Sequence, residues 1–125
     1  MSSNKDLGDI GEEFAANYLK SRNYEILSRN FRFGKTAEID IIAEINDTII
    51  FVEVKTRNNQ KYGTPAEAVT LKKQQKIIQA ATKFLQLNDY FDRSCRFDVF
   101  EVFANDNQDP IDWKYNHIEN AFEIS

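Results

Sequence analysis

Hydrophobic residues recur along this chain with two periods, one typical of helices and the other typical of strands. In residues 7–21 apolar side chains return every three or four positions, which predicts an amphipathic helix. A second stripe with the same period predicts a longer helix over residues 71–87. Alternating or continuous runs of aliphatic, β-branched and aromatic residues predict five strands. These strands cover residues 24–33, 37–43, 48–56, 94–103 and 113–118.

Turn signals separate these segments and set their order. Asn46 and Asp47 lie between the second and third strands, as the central pair of a two-residue hairpin turn does. The run Thr64-Pro65-Ala66-Glu67 is typical of a helix start, with a Thr cap, a Pro in the first turn and an acid three residues after the cap. The resulting order, α-β-β-β-α-β-β, predicts one α/β domain over residues 1–125.

Composition narrows the classes of protein. A chain of 125 residues that is 42% hydrophobic and 13% aromatic can build a packed core. Its longest apolar run is far shorter than the roughly 20 residues of a membrane helix, so we expect no membrane partner and a cytoplasmic location. One cysteine, Cys95, and one histidine, His117, exclude an intramolecular disulfide and argue against a Cys/His zinc site.

The net charge of −4 at first argues against a nucleic-acid partner, but the charge is unevenly distributed. Residues 1–83 carry a net charge of +2 and residues 84–125 carry −6. An acidic chain can therefore present a basic face, although a solvated surface of mixed sign explains the same numbers. Candidate phosphate contacts are Arg57, for which an ion pair at a strand end is an equal alternative, and three lysines for which a solvated helix face is the favoured alternative. These lysines are Lys72, Lys73 and Lys76.

Charged residues inside predicted strands are the most informative positions, because interior strands are normally apolar. Asp40 interrupts the second strand, and Glu53 and Lys55 lie two residues apart, hence on one face, in the third. The two-residue turn sets the register of this hairpin and places Ile45 opposite Thr48. Continued along the strands, this register places Asp40 opposite Glu53, and Glu38 opposite Lys55 as a supporting acid.

Two carboxylates that face each other in a sheet repel, so their presence needs a physical explanation. Two ionised carboxylates about 5 Å apart repel by about 3 kcal/mol at an effective dielectric constant near 20, which destabilises a sheet. A shared proton, a bound cation or a different register would relieve the repulsion. Oxygen ligands on a rigid sheet suit Mg²⁺ or Mn²⁺. Lys55 would then neutralise the acids as a structural ion pair, or would stabilise charge on a phosphate and orient the attacking water.

The spacing of these residues resembles a known nuclease motif. Asp40, followed after twelve residues by Glu53-Val54-Lys55, resembles the core of the PD-(D/E)XK nuclease superfamily. The wider pattern is similar to the YraN-type predicted endonucleases, relatives of archaeal Holliday junction resolvases. The matching segments are Gly8-Asp9-Ile10-Gly11-Glu12, Ser28-Arg29-Asn30, Glu38-Ile39-Asp40, Phe51-Val52-Glu53-Val54-Lys55-Thr56-Arg57, Tyr62-Gly63-Thr64-Pro65, Arg96-Phe97-Asp98-Val99 and Ile118-Glu119-Asn120-Ala121-Phe122.

The resemblance implies a fold and a set of roles. The fold is restriction-endonuclease-like, with a central mixed β-sheet flanked by α-helices. Asp40, Glu53 and the Val54 carbonyl would bind the metal, Lys55 would be catalytic, and Glu12 would be the supporting acid from the first helix. Two positions depart from the usual pattern, since Ile39 stands where many members of the superfamily have Pro and Ala37 where the family usually has Gly. Neither departure removes a ligand.

Three functions remain open at this point. The first is a metal-dependent endonuclease, with DNA favoured over RNA as substrate and branched or structured DNA as one class. Junction-cutting relatives act as dimers, so a homodimer is compatible with this hypothesis. The second is a nucleic-acid-binding module that keeps the fold without turnover. The third is a structural or interaction domain in which the acids and Lys55 form a buried ion-pair network.

Overall fold

The computed structural model describes residues 4–57, 69–105 and 107–123. None of the helices in these ranges is long and apolar enough to span a membrane. The two helices are α1 (Asn4–Ser21) and α2 (Leu71–Leu87). The five strands are β1 (Glu25–Phe33), β2 (Ala37–Ile45), β3 (Thr48–Arg57), β4 (Ser94–Phe103) and β5 (Lys114–Phe122). A short 3₁₀ helix, Pro110–Asp112, precedes β5.

The predicted elements and their order are confirmed, and the largest differences lie at two ends. Helix α1 begins three residues earlier than its hydrophobic stripe, and β5 extends four residues further than predicted. Polar Glu119 and Asn120 hide the end of β5 in the sequence, but Phe122 stacks on Phe97 of β4 at 5.0 Å between ring centroids. The helix start predicted at residues 64–67 lies outside the described residues.

The strands form one mixed sheet in the order β1-β2-β3-β4-β5. Strand β3 runs parallel to β4, and the other neighbouring pairs are antiparallel. A parallel pair needs a crossover connection, and α2 lies in the segment between β3 and β4. The architecture is therefore α/β and consistent with the restriction-endonuclease-like fold that the resemblance implies.

Each face of the sheet carries one hydrophobic cluster. The α1 core joins Ala15, Ala16 and Leu19 of α1 to alternate residues of β3, Ile50 and Val52. The α2 core is built in the same way on the opposite face. It includes Ile77, Ala80, Ala81 and Phe84 of α2, with Ile49 and Phe51 of β3. Odd-numbered residues of β3 therefore face α2, and the face of each later charged residue in this strand follows from its number.

Strand β2 does not keep one alternation along its length. Ile41 lies in the α1 core, whereas Ile39, which simple alternation would place beside it, lies in the α2 core. The change occurs at Asp40, which the β1–β2 pairing skips together with its opposite residue, Asn30. Asn30 has a positive φ of 55°, a conformation that asparagine tolerates better than most residues. On one side of this unpaired position Ile41 and Ala43 face α1, and on the other side Ile39 and Ala37 face α2.

Helix α1 approaches β3 closely at Gly11. A Cβ atom added to Gly11 would overlap Thr56 Oγ1 and lie 3.0 Å from Thr56 Cβ, so a larger side chain would force the helix away from the strand. The next residue in α1 is Glu12. The close contact therefore fixes the height at which Glu12 lies above the sheet.

We predict that Gly11→Ala destabilises the protein by about 1–3 kcal/mol, the usual cost of overfilling a packed site. Gly8→Ala is the matched control. Gly8 lies in the same helix, and a Cβ atom added there would meet nothing within 4 Å, so alanine should stabilise the helix by about 0.5–1 kcal/mol. Urea denaturation of both variants measures the difference. Equal effects of the two substitutions would contradict a close contact at Gly11.

Candidate metal centre

The site begins where β2 and β3 separate. The predicted register is confirmed from Ile45–Thr48 to Ile41–Val52, where the ladder ends. Asp40, the next residue, uses its side chain instead of its backbone: Val54 N–H donates to Asp40 Oδ2 at 2.8 Å. The expectation that Glu38 and Lys55 face each other in the ladder is therefore wrong, because the strands diverge before reaching them.

Asp40 and Glu53 still converge through their side chains. Glu53 is 6% exposed on the α2 face of β3, and its carboxyl group lies within hydrogen-bonding reach of Asp40. Burial raises the pKa of Asp40 to about 8, the hydrogen bond and charge of Glu53 act in the same direction, and the Val54 N–H and Lys73 oppose the rise. The raised pKa favours the protonated form of Asp40, which lowers the repulsion between the two groups in the protein without metal.

One oxygen of this pair lacks a hydrogen bond. Glu53 Oε2 is buried without a hydrogen-bond partner among the described residues. Lys73 Nζ of α2 lies 3.4 Å away, within ion-pair range but beyond the usual length of a hydrogen bond. A buried carboxylate oxygen of this kind attracts a cation. The donor set of Asp40 and Glu53 therefore fits a hard divalent ion such as Mg²⁺ or Mn²⁺.

Lys55 lies on the same face of β3 as Glu53, as its spacing predicts. It is partly exposed and makes no ion pair with the residues that the structure describes. In the parallel ladder Lys55 is the partner of Glu101, whose side chain is engaged by Arg57. The ammonium group of Lys55 is therefore not committed to a described carboxylate.

Glu12 borders the site without joining it. Burial raises the pKa of Glu12 to about 7, the charge of Asp40 acts in the same direction, and Arg29 lowers it. Glu12 therefore lies close enough to Asp40 for their charges to interact. No three His, Cys, Asp or Glu side chains in the described parts of the chain group as a metal site. Glu38 instead pairs with Arg32 at 3.7 Å.

The four basic residues predicted to contact phosphate have different environments. Arg57 Nε donates to Glu101 at 2.6 Å, and Glu101 is 2% exposed, so the ion-pair alternative describes Arg57. Lys73 pairs with Glu53, and Lys76 Nζ donates to the Thr36 hydroxyl at 2.8 Å. Lys72 is exposed on α2.

Sequence reasoning misses three contributions to the site. It gives Lys73 only as a candidate phosphate contact or a solvated surface residue, and nothing local connects this residue with Glu53. Glu101 has a detectable signal, since an acid lies between apolar neighbours in a predicted strand, as Asp40 does. Asn30 has a weaker one, since Asn is enriched at positive φ, but many Asn residues in strands have a negative φ.

We predict that Asp40→Asn flattens the pH dependence of stability in metal-free buffer. The pKa of Asp40 is about 8 in the folded protein against an ordinary value of 3.8, so its contribution to stability is present at low pH and is lost as pH rises toward 8 and above. Asn mimics the protonated acid and should gain about 1–3 kcal/mol over wild type at pH 9, and little at pH 5. Thermal unfolding across this range measures both slopes.

Asp47→Asn is the control for this experiment. Asp47 lies in the exposed turn of the same hairpin at a φ of 64°, which Asn tolerates. The Asp47→Asn variant should keep the wild-type slope. A loss of stability in Asp40→Asn at pH 9 would instead indicate that the ionised carboxylate is part of a stabilising ion-pair network.

Comparison with known proteins places the chain in a family. Residues 11–102 match the model described as "Uncharacterised protein family UPF0102". A UPF0102 protein of Clostridioides difficile is 47% identical over 120 residues, covering 96% of this chain and 99% of the relative. A UPF0102 protein of Alkaliphilus oremlandii is 48% identical over 121 residues, covering 95% of this chain and 99% of the relative.

A solved structure gives a weaker likeness. The crystal structure of SSO0001 matches 98% of this chain and 55% of its own, at 20% identity and a TM-score of 0.40. The sequence matches are much stronger, and they span the helix that carries Glu12, both strands of the carboxylate pair and α2. The chain belongs to the protein family UPF0102, the YraN family.

Proposed function

We propose that this protein is a metal-dependent endonuclease that hydrolyses phosphodiester bonds of nucleic acid, with DNA preferred over RNA. The observation that carries the proposal is the buried Glu53 Oε2, which has no hydrogen-bond partner among the described residues, beside Asp40 with its raised pKa. Leaving a buried polar atom unpaired costs about 1–3 kcal/mol, and more for a charged group. A site that bears this cost is expected to bind a ligand.

Asp40, Glu53 and the Val54 carbonyl would hold Mg²⁺ or Mn²⁺. Such an ion supplies positive charge that stabilises a developing phosphate oxyanion and lowers the pKa of water. The pair lies on two strands that are fixed by ladder pairing up to the adjoining residues, Ile41 of β2 and Val52 of β3. The strands therefore hold the two carboxylates in place before any ligand arrives.

Lys55 and Glu12 supply the remaining chemistry. Lys55 lies on the face of Glu53, partly exposed, and its ammonium group can donate to a phosphate oxygen on which negative charge develops. Glu12 has a pKa of about 7, which suits a group that accepts a proton from water near neutral pH. With an ion on the carboxylate pair, a phosphodiester bound there would meet a cation, a hydrogen-bond donor in Lys55 and a base in Glu12.

The Lys73–Glu53 contact favours a second candidate function. A lysine 3.4 Å from the buried acid partly neutralises it, as expected for a structural ion-pair domain that never binds metal. The two functions differ in what a divalent ion does. Metal binding should increase the stability of an enzyme and leave the stability of a structural domain unchanged.

We predict that the protein cleaves DNA in Mn²⁺ and that Glu53→Gln abolishes this cleavage. Gln keeps the volume of Glu53 and removes its charge. The substrates are labelled single-stranded, duplex, flapped and four-way-junction DNAs, with one RNA strand of matching sequence. Cleavage by Glu53→Gln at the wild-type rate would point to a contaminating nuclease and contradict the assignment of this site.

Lys55→Met separates catalysis from binding. Met keeps the length of the side chain but removes the ammonium group, so cleavage at saturating DNA should fall at least about 100-fold, the scale of one lost transition-state contact. Mn²⁺ affinity should stay within about 2-fold of the wild-type value, because the carboxylate pair is intact. Lys72→Met is the control, because Lys72 is exposed on α2, and it should keep its cleavage rate at saturating DNA. A wild-type rate in Lys55→Met would show that Lys55 has no part in the chemistry.

Lys73 and a divalent ion should compete for Glu53. We therefore predict that Lys73→Gln raises Mn²⁺ affinity about 2- to 5-fold in the absence of DNA, which corresponds to a weak, half-exposed ion pair. Isothermal titration with Mn²⁺ measures the affinity, and Lys72→Gln controls for the change in net charge. Equal affinities in the two variants would show that Lys73 does not hold the cation position.

A further inference from the structure

The tip of the β1–β2 hairpin presents an aromatic ring to solvent. Phe33 is the last residue of β1 and is 43% exposed. It pairs with Ala37, which belongs to the α2 core, so its ring lies on the same face of the sheet as Glu53. The reversed alternation beyond Asn30 is what places it on this face.

The surroundings of Phe33 are cationic. Lys83 Nζ of α2 lies 5.9 Å from the centre of its ring, a cation–π distance. Lys76 reaches the hairpin turn through the Thr36 hydroxyl. Lys35 in the turn is exposed. An apolar protein surface would have to desolvate these charges, whereas a polyanion with flat π faces complements both the charges and the ring.

The ring also lies at a useful distance from the carboxylate pair. Asp40 is three positions along β2 from Ala37, the partner of Phe33. At about 3.3 Å per residue this is about 10 Å along the sheet, or roughly three steps of a stacked strand at about 3.4 Å each. A single strand that crosses the site can therefore pass over Phe33.

We propose that Phe33 stacks on an unpaired base of a strand held by the cations around it. The substrate class is then DNA with a single-stranded segment within a few nucleotides of the scissile phosphate. In continuous duplex the bases are paired and stacked on each other, so a ring on a protein surface cannot cover a base without extruding it. This inference rests on the proposed function for the cleavage step, but its binding step can be measured without turnover.

The experiment measures the affinity of metal-free protein for a fluorescently labelled single strand and for the blunt duplex of the same sequence. Phe33→Ala should weaken single-strand binding about 5- to 30-fold, the usual effect of losing one aromatic stacking partner, and change duplex binding less than about 2-fold. Phe33→Trp should bind the single strand with wild-type affinity, because Trp also provides an aromatic face. The control is Phe91→Ala, because Phe91 is 60% exposed in the segment between α2 and β4.

A spectroscopic reading makes the result independent of affinity. The tryptophan introduced by Phe33→Trp adds its fluorescence to that of Trp113, which the wild-type protein already contains. The added fluorescence, taken as the difference between variant and wild type, should be quenched by the single strand and not by the duplex. Melting curves confirm that each variant is folded. Phe33→Leu, which keeps apolar volume without a π face, should behave like Phe33→Ala.

Equal losses on single strand and duplex, or full affinity in Phe33→Ala, would overturn the inference. Full DNA affinity together with a change in sedimentation of Phe33→Ala would also overturn it, because the ring would then serve contact between copies of the chain. Failure of the proposed function looks different: Phe33→Ala weakens single-strand binding, but wild-type protein cleaves nothing in Mn²⁺. Cleavage that is lost in Glu53→Gln and unaffected in Phe33→Ala removes the inference and leaves the nuclease proposal standing.

Discussion

The hydrogen bond from the Val54 amide to the Asp40 carboxylate organises the site. It comes directly after the last ladder pair of β2 and β3, where a backbone carbonyl would otherwise be the natural acceptor. The side chain thus satisfies a backbone donor that the divergence of the strands would leave unpaired. The same bond pins the carboxylate at the point where the strands separate. An acid at this position thereby accepts a backbone hydrogen bond and also offers a carboxyl oxygen to a ligand.

This arrangement explains how a sheet tolerates two facing acids. Burial and the neighbouring Glu53 raise the pKa of Asp40, which favours its protonated form in the protein without metal, and Lys73 contributes a nearby positive charge. Both forms of relief are weak compared with a divalent ion, because a proton neutralises one charge and Lys73 is 45% exposed to water. A divalent cation at this site would therefore reduce the repulsion between Asp40 and Glu53 further than a proton or Lys73 does. Functional sites commonly keep such an unfavourable arrangement at a cost in stability.

Local pattern is sufficient to predict the secondary structure and the register of the hairpin that leads to the candidate site. The turn at Asn46 and Asp47 fixes the register as far as Ile41–Val52, and Asp40 and Glu53 are the next residues on the two strands. The sequence does not show where the β2–β3 ladder ends, because the divergence of strands depends on the twist of the whole sheet. This is why the register alone places Glu38 wrongly opposite Lys55.

Contacts between elements that are distant in the sequence cannot be predicted from local pattern, because they depend on how the elements pack. Lys73 is twenty positions from Glu53 in the sequence, and their ion pair depends on how α2 packs on the sheet. Arg57 and Glu101 likewise meet across a parallel pair of strands whose register no short turn defines. Periodicity identifies the face of an element that is buried. It does not identify the residue on another element that the buried face will meet.

The division of the interior into two cores has a consequence for how this protein tolerates change. The α1 core and the α2 core are separated by the sheet, so substitutions in one are expected to combine additively with substitutions in the other. Each core can then accept substitutions and repack independently of the other core. Asp40 lies at the position where β2 passes from one core to the other. A substitution of Asp40 should disturb the packing of both cores, so we expect this position to tolerate mutation less well than positions within one core.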